Sequence, residues 1–351
     1  MSRRSLTLLL SGLLALGLLG GGFAIPVPYV EILPGPAYNT LGDKGTVGGK
    51  PVIDVTGVKI YPTDGALDLL TVYVDNQLTL VDAIRGWFDA DVAVVPRELI
   101  YPPDQSDAAI AKQNVVEMTQ SQNSATQAAF AHLGIASETV TVKGVPAGSP
   151  SAGKLQVGDV LTSVGGAKVL NAVQLRSLIG THPVGSTVPV GYLRGGTAGT
   201  ASITTNGSTA TASAPSRPVI GIETTAVAVP GIPSVTINLQ DVGGPSAGMM
   251  FALGIIDKLD PASLTGGRHI AGTGEIDANG VVGPIGGIVQ KLTGARENGA
   301  TFFLAPAANC NEVVGHIPAG LTVARVATLD DALSALADLR AGRTPRACTT
   351  T

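Results

Sequence analysis

Gly243-Gly244-Pro245-Ser246-Ala247-Gly248, running into Met249-Met250-Phe251-Ala252-Leu253-Gly254-Ile255-Ile256, is the stretch on which the reading of this chain turns. The long apolar run predicts a core helix, and the small residues before it deliver the backbone to the helix start. A serine placed there has three advantages as a nucleophile. Its neighbours are too small to block a carbonyl. The helix start offers free backbone N–H groups, and its positive end stabilises developing alkoxide charge. The structural alternative is that Ser246 simply caps a core helix. Gly244 joins it as a substrate-binding position.

Two further segments downstream could cooperate with it. In Gly283-Pro284-Ile285-Gly286-Gly287-Ile288-Val289-Gln290-Lys291, glycine and proline lead to a second helix start, with Lys291 in its first turns. The positive helix end does nothing to keep a lysine charged there. Burial would lower its pKa further and make it a neutral base; on an exposed face it would be an ordinary surface lysine. Between the two lies Ala271-Gly272-Thr273-Gly274-Glu275, where Thr273 could hydrogen-bond the amine of Lys291 and aim its lone pair. Glu275 fits an ion pair or an N–H acceptor as readily as a catalytic role.

These three segments, in this order, resemble the proteolytic domain of the Lon family, whose proteases use a Ser–Lys dyad without histidine. The family pattern is a nucleophile in PSAG, a TGE strand and a lysine shortly after PIGG, and Ser246 and Lys291 stand 45 positions apart. The resemblance runs over about residues 220–339 and implies Ser246 as nucleophile, Lys291 as base and Thr273 as the residue orienting it. The chain departs from the family in one place. Lon carries a charged residue close before GPS, whereas Gly243 stands here and Asp241 lies further upstream. A Ser–His–Asp enzyme is the competing mechanism; among His132, His182, His269 and His316 only His269, just before Thr273, is suitably placed.

Upstream, Gly148-Ser149-Pro150-Ser151-Ala152-Gly153-Lys154-Leu155-Gln156-Val157-Gly158-Asp159-Val160-Leu161, with Val164-Gly165-Gly166 after it, resembles the turn and strand of PDZ domains. A helix over 171–179 and a strand over 188–194 fit that pattern. The resemblance places the carboxylate-binding loop at Leu133-Gly134-Ile135. Gly195 to Ser216 is almost wholly small and polar, so part of it should be a loop or linker; Asn206-Gly207 is a hairpin turn signal, which allows one late PDZ strand to extend into the stretch. A helix is expected from Asp107 to His132.

At the N-terminus, Arg3 and Arg4 precede an apolar run from Leu6 to Ile25, long enough to span a bilayer. The arginines hold the N-terminus inside and place the rest outside; Gly22-Phe23-Ala24 also fits signal-peptide cleavage. Cys310 and Cys348, the chain's two cysteines, suit a disulfide in an exported protein. The formal charge of −4 and the lack of a basic stripe argue against nucleic acid. No G-x-x-x-x-G-K-[ST] segment occurs, so ATP dependence is not expected, nor is any cofactor or metal.

The expected fold is α+β and multidomain. It comprises a transmembrane anchor over 1–27, a β-rich region over 28–120, a PDZ-like β-rich domain and linker over 121–215, and a Lon-type α/β proteolytic domain with a tail over 216–351. The order resembles the PDZ-containing, membrane-anchored Lon-like proteases of Gram-positive bacteria, as do Val94-Val95-Pro96-Arg97-Glu98 and Met118-Thr119-Gln120-Ser121-Gln122. That implies a serine endopeptidase acting on unfolded or juxtamembrane segments outside the cytoplasmic membrane. The partners are protein or peptide substrates in the PDZ-like groove and the membrane through the N-terminal helix, with self-association left open. The alternative is a membrane-tethered PDZ scaffold with an inactive protease-like domain.

Overall fold

The computed structural model describes residues 3–42, 50–208, 216–239 and 242–349; Asp241 lies outside them. The chain opens with α1 (Arg3–Ala24), a helix whose apolar side chains stand in the open. There follow β1 (Tyr29–Asn39), β2 (Ile53–Thr56) and β3 (Ala66–Asp75). β1 accommodates Pro34 and Pro36 through a register shift between Pro34 and Ala37, the kind of irregularity at which strands tolerate proline. Next come α2 (Leu80–Trp87), started by a Thr79/Asp82 capping box, and β4 (Ala93–Pro96).

The expected helix is α3 (Asp107–His132), capped by Ser106. Its buried residues Met118, Ser121, Ala125, Ala128 and Ala129 share one face. It ends in a Schellman motif. Gly134 takes φ +69°, and the N–H groups of Gly134 and Ile135 donate to the carbonyls of Ala131 and Phe130.

The next unit contains β5 (Glu138–Gly144), β6 (Val160–Val164), β7 (Ala167–Lys168), α4 (Ala172–Gly180), β8 (Thr187–Arg194) and β9 (Thr197–Thr204). β10 (Asn206–Gly207), β11 (Pro218–Val219) and β12 (Glu223–Ala228) complete it. Its sheet runs β12-β5-β6-β8-β9. Inward residues such as Val140, Val142, Val188, Val190 and Ile203 alternate along these strands and form a core of their own.

The late strand is present and the expected turn is corrected. Thr197–Thr204 of the small-residue stretch forms β9, paired with β8 along its whole length. The hairpin turn is Gly195-Gly196, with φ +52° and +84°, since two successive positive φ values are what a tight hairpin requires. Asn206-Gly207 pairs instead with Pro218-Val219.

The last part holds β13 (Ser234–Ile237), α5 (Gly248–Leu259), β14 (His269–Gly272), β15 (Glu275–Ile276) and β16 (Val282–Gly283). Beyond them are α6 (Ile288–Glu297), β17 (Phe302–Pro306), α7 (Cys310–Val313), β18 (Thr322–Val326) and α8 (Leu329–Arg340). Its main sheet has the order β18-β17-β14-β3-β1-β4. Three of these six strands thus come from before residue 100, and β2 pairs with β13. The region over 28–120 is therefore not a separate β-rich unit: β1, β3 and β4 fold into the C-terminal sheet and β2 pairs with β13. That sheet is covered on both faces. Leu69, Ile270, Phe302 and Leu304 face the α5 side, whereas Leu70, Ala271, Phe303 and Ala305 face α6. Double burial explains why β17 is buried at every position.

Candidate active site

The turn 243–247 brings Ser246 to the start of α5 but does not spend its hydroxyl there. The helix N-cap is Ala247, with no side-chain cap, so the capping alternative is set aside. Gly244 has φ +83°, and its N–H donates to the carbonyl of Asn114 at 3.1 Å. It is a turn residue, and Gly243 is the one that lines the adjacent cleft. Ser121 on α3 donates to the carbonyl of Pro245 at 2.9 Å. α3 thus buttresses the serine turn at two points, a role no local sequence signal carried.

α6 brings in the lysine. Its N-cap Gly287 has φ +69°, and a Cβ there would lie 2.8 Å from Val72 Cγ1. Both conditions exclude larger residues. The loop before it is clamped by Asn309, whose side chain accepts from the N–H of Ile285 at 2.9 Å and donates to its carbonyl at 2.9 Å. Lys291 is 2% exposed.

Its Nζ lies 2.8 Å from Ser246 Oγ and 3.0 Å from Thr273 Oγ1. The Thr273 hydroxyl donates to the carbonyl of Ser246 at 2.9 Å. It therefore presents only lone pairs to the amine and accepts an N–H of Lys291. Burial lowers the Lys291 pKa to about 7, because a charged amine is disfavoured away from water and no carboxylate compensates it. Met249 donates to the carbonyl of Gly274, and Gly274 to that of Ser246, which locks Thr273 against the serine turn. Among the described residues, the backbone N–H groups of Ser246 and Ala247 have no acceptor.

The site opens on a cleft of ≈ 460 Å³ whose walls include Ile32, Leu70, Val72 and Met118. These come from β1, β3 and α3, outside the segments that named the dyad. β14 pairs with β3 only as far as Leu69, while β1 pairs with it to Asp75. The cleft side of β3 beyond Leu69 is left as an open strand edge beside Ser246.

Other candidates fall elsewhere. His269 contacts Asp68 at 2.5 Å. It begins β14, ~13 Å of strand away from Thr273, and the position beside Ser246 is held by Lys291. Glu275 has its pKa raised by burial and then by Glu117, and makes no ion pair among the described residues. Leu133 and Ile135 pack against the core around α5, so Leu133-Gly134-Ile135 is the end of α3 and not a carboxylate loop.

A groove does exist on the PDZ-like unit. A cavity of ≈ 920 Å³ lies between α4 and residues 217–224, with Leu175, Ile179, Arg217, Ile222 and Asn279 among its walls. β12, at the sheet edge, pairs only with β5. The signal was present in Val219-Ile220-Gly221-Ile222, an apolar-Gly-apolar run directly before a strand, where Gly221 takes φ +67°.

Comparisons with known proteins agree with this architecture. Residues 115–205 match the PDZ domain family, and residues 234–338 match the Lon protease (S16) C-terminal proteolytic domain. Lon protease 2 of Bacillus subtilis is 34% identical over 92 residues, covering 26% of this chain and 16% of that protein. Lon protease 1 of Sorangium cellulosum is 34% identical over 127 residues, 32% of this chain and 15% of that protein. The chain thus spans about one sixth of the length of these relatives. Among solved structures, the PDZ domain of the SdrC-like protein from Listeria innocua is 29% identical, covering 24% of this chain and 92% of that one, with a TM-score of 0.22. With a PDZ domain ahead of it, this chain carries the proteolytic domain of the Lon (S16) serine peptidase family.

Proposed function

We propose that the chain is an ATP-independent serine endopeptidase, anchored by α1 with its body outside the cytoplasmic membrane, that cleaves unfolded or juxtamembrane protein segments. One observation carries this reading: a buried amine, its pKa lowered to about 7, in contact with a serine hydroxyl that caps nothing. Lys291 Nζ takes the proton as Ser246 Oγ attacks the scissile carbonyl. The N–H groups of Ser246 and Ala247 receive the oxyanion. The resulting ammonium protonates the leaving amine. Neutral again, it draws a proton from the water that attacks the acyl-enzyme carbonyl, and returns that proton to Ser246 Oγ as the ester bond breaks. Substrate lies as an added strand on the open edge of β3, its side chain in the apolar cleft.

The pH profile tests the base. Lys291 must be neutral to act, so the rate of Ser246 labelling by a fluorophosphonate probe should rise with pH through about 7. A rate flat from about pH 5.5 to about pH 9 would refute a lysine base.

The PDZ groove takes the C-terminus of a peptide, added to the free edge of β12, with Arg176 and Arg217 on its walls to attract the carboxylate. Asn279, in the turn joining β15 and β16, lines the same cavity, so bound peptide touches the hairpin that begins two residues after Thr273. A fluorescent peptide with an apolar C-terminal residue should bind the full chain, and C-terminal amidation should weaken it at least ~10-fold. Equal binding of the amide, or no effect of Arg217→Ala, would show that the carboxylate is not read there.

A further inference from the structure

α2 is amphipathic the wrong way round for a helix of a water-facing domain. Its small residues Ala83 and Gly86 are the buried ones, and a Cβ on Gly86 would lie 2.5 Å from Val94 Cγ2. The large residues turn outward: Leu80, Ile84 and Trp87 are 41%, 42% and 56% exposed, and the C-cap Phe88 is 88% exposed. Positions i, i+4 and i+7 form one stripe on a helix. Single exposed apolar residues are ordinary, but a continuous stripe marks a surface that something covers.

The place of the stripe indicates its cover. α2 is joined to the exit of α1: the N–H of Leu80 donates to the carbonyl of Ile25 at 3.3 Å, and that of Val27 to Leu78 at 3.0 Å. Pro26 and Thr79 form a bridge, and a Cβ on Gly22 would lie 3.3 Å from Val81. The first turn of α2 is therefore level with the last turn of an exposed apolar helix spanning 20 residues. That is the depth at which tryptophan and other amphipathic rings settle in a bilayer.

We propose that α2 is an interfacial helix, its Leu80–Ile84–Trp87–Phe88 stripe immersed in the headgroup–acyl boundary of the leaflet from which α1 emerges. This rests on the reading of α1 as an anchor. It fixes where the enzyme can cut. The Trp87 ring meets Tyr29 edge-on at 5.8 Å, and three residues further along β1, ~10 Å of strand, Ile32 lines the catalytic cleft. The cleft is thereby held beside the bilayer, within reach of segments leaving the membrane.

Trp87 is the chain's single tryptophan, so the intrinsic fluorescence of the full-length protein reports this stripe directly. In phosphatidylcholine–phosphatidylglycerol vesicles, lipids bearing a doxyl group near the headgroup should quench Trp87 at least ~2-fold, whereas aqueous acrylamide quenches it little. Ile84→Ser with Phe88→Ser should shift its emission to the red while Ser246 still labels with a fluorophosphonate. Quenching by acrylamide and not by lipid would place the stripe in water and overturn the proposal. Protection from both would also overturn it, because a second copy of the chain would then cover the stripe. Mass analysis separates the two readings. A chain that has lost residues 1–24 refutes the anchor alone; doxyl quenching of that shortened chain still upholds the stripe, and its absence overturns it.

Discussion

Lys291→Met should lower cleavage of an unfolded protein by at least ~10⁴-fold, and Ser246→Ala should do the same, with the double variant no worse than either. The non-additivity follows from geometry, since amine and hydroxyl are 2.8 Å apart and serve one proton transfer. Lys291→Arg should be equally inactive, because a guanidinium does not deprotonate. Stability separates loss of chemistry from loss of fold. In the native chain the Lys291 pKa is about 7 against an ordinary 10.5, so between those values the unfolded chain binds more protons than the native one. Stability of the wild type should therefore rise with pH across that window, as a buried amine ceases to be penalised, and the cost is fully present below pH 7. Lys291→Met removes the titrating group, so its denaturation midpoint should exceed that of the wild type near neutrality and lose this rise. A Lys291→Met chain that turns over substrate would overturn the dyad; one that is less stable than wild type near pH 7 would contradict the buried neutral amine.

Reduction of the Cys310–Cys348 bond, or Cys348→Ser together with Cys310→Ala, should cost about 4 kcal/mol on the chain-entropy account of a loop of this length. The bond joins residues 38 apart. It ties the strand-like end of the tail, where Arg325 donates to the carbonyl of Arg346 and Ala324 bridges Ala347, back to α7. α7 in turn follows Asn309, the residue that clamps the Ile285 loop ahead of Lys291. The loss should register in thermal unfolding of the intact chain. At temperatures where the variant remains folded, its rate of Ser246 labelling should stay within ~3-fold of wild type, since neither sulfur touches the dyad. An unchanged denaturation midpoint after reduction would show that the tail contributes nothing to the fold.

The cluster of Ser246, Thr273 and Lys291 was legible because its members sit in segments with strong local demands. Pro245-Ser246-Ala247-Gly248 must turn tightly into a buried helix, and Gly287 must reach positive φ beside Val72. Such demands restrict residue type within a few positions, so they can be read along the chain. α3 was legible for a related reason: its run of good helix formers is a local property.

The PDZ groove shows the opposite case. Leu133-Gly134-Ile135 and Ile220-Gly221-Ile222 are alike as strings, an apolar pair around a glycine of positive φ. The first closes a helix against the protease core, and the second enters the strand that borders α4. Only sheet order separates them, because β12 reaches its place beside β5 from 79 residues further on in sequence, counted from Gly144 to Glu223. The same holds for β2 and β3, which read as any β-rich region would but whose partners β13 and β14 lie more than 150 positions away.

By itself, then, the sequence determined the helix α3, the core helix after the serine turn, the apolar N-terminal segment and which serine, threonine and lysine the motifs single out. Each is decided by steric and capping rules that act over one or two turns of chain. The tertiary structure alone decided that Lys291 is dry, that Thr273 faces it, that β1, β3 and α3 wall the cleft, and that α2 turns its large side chains outward. Those are consequences of burial and neighbourhood, and a pKa near 7 is set by the water a fold excludes rather than by the residues adjacent in sequence.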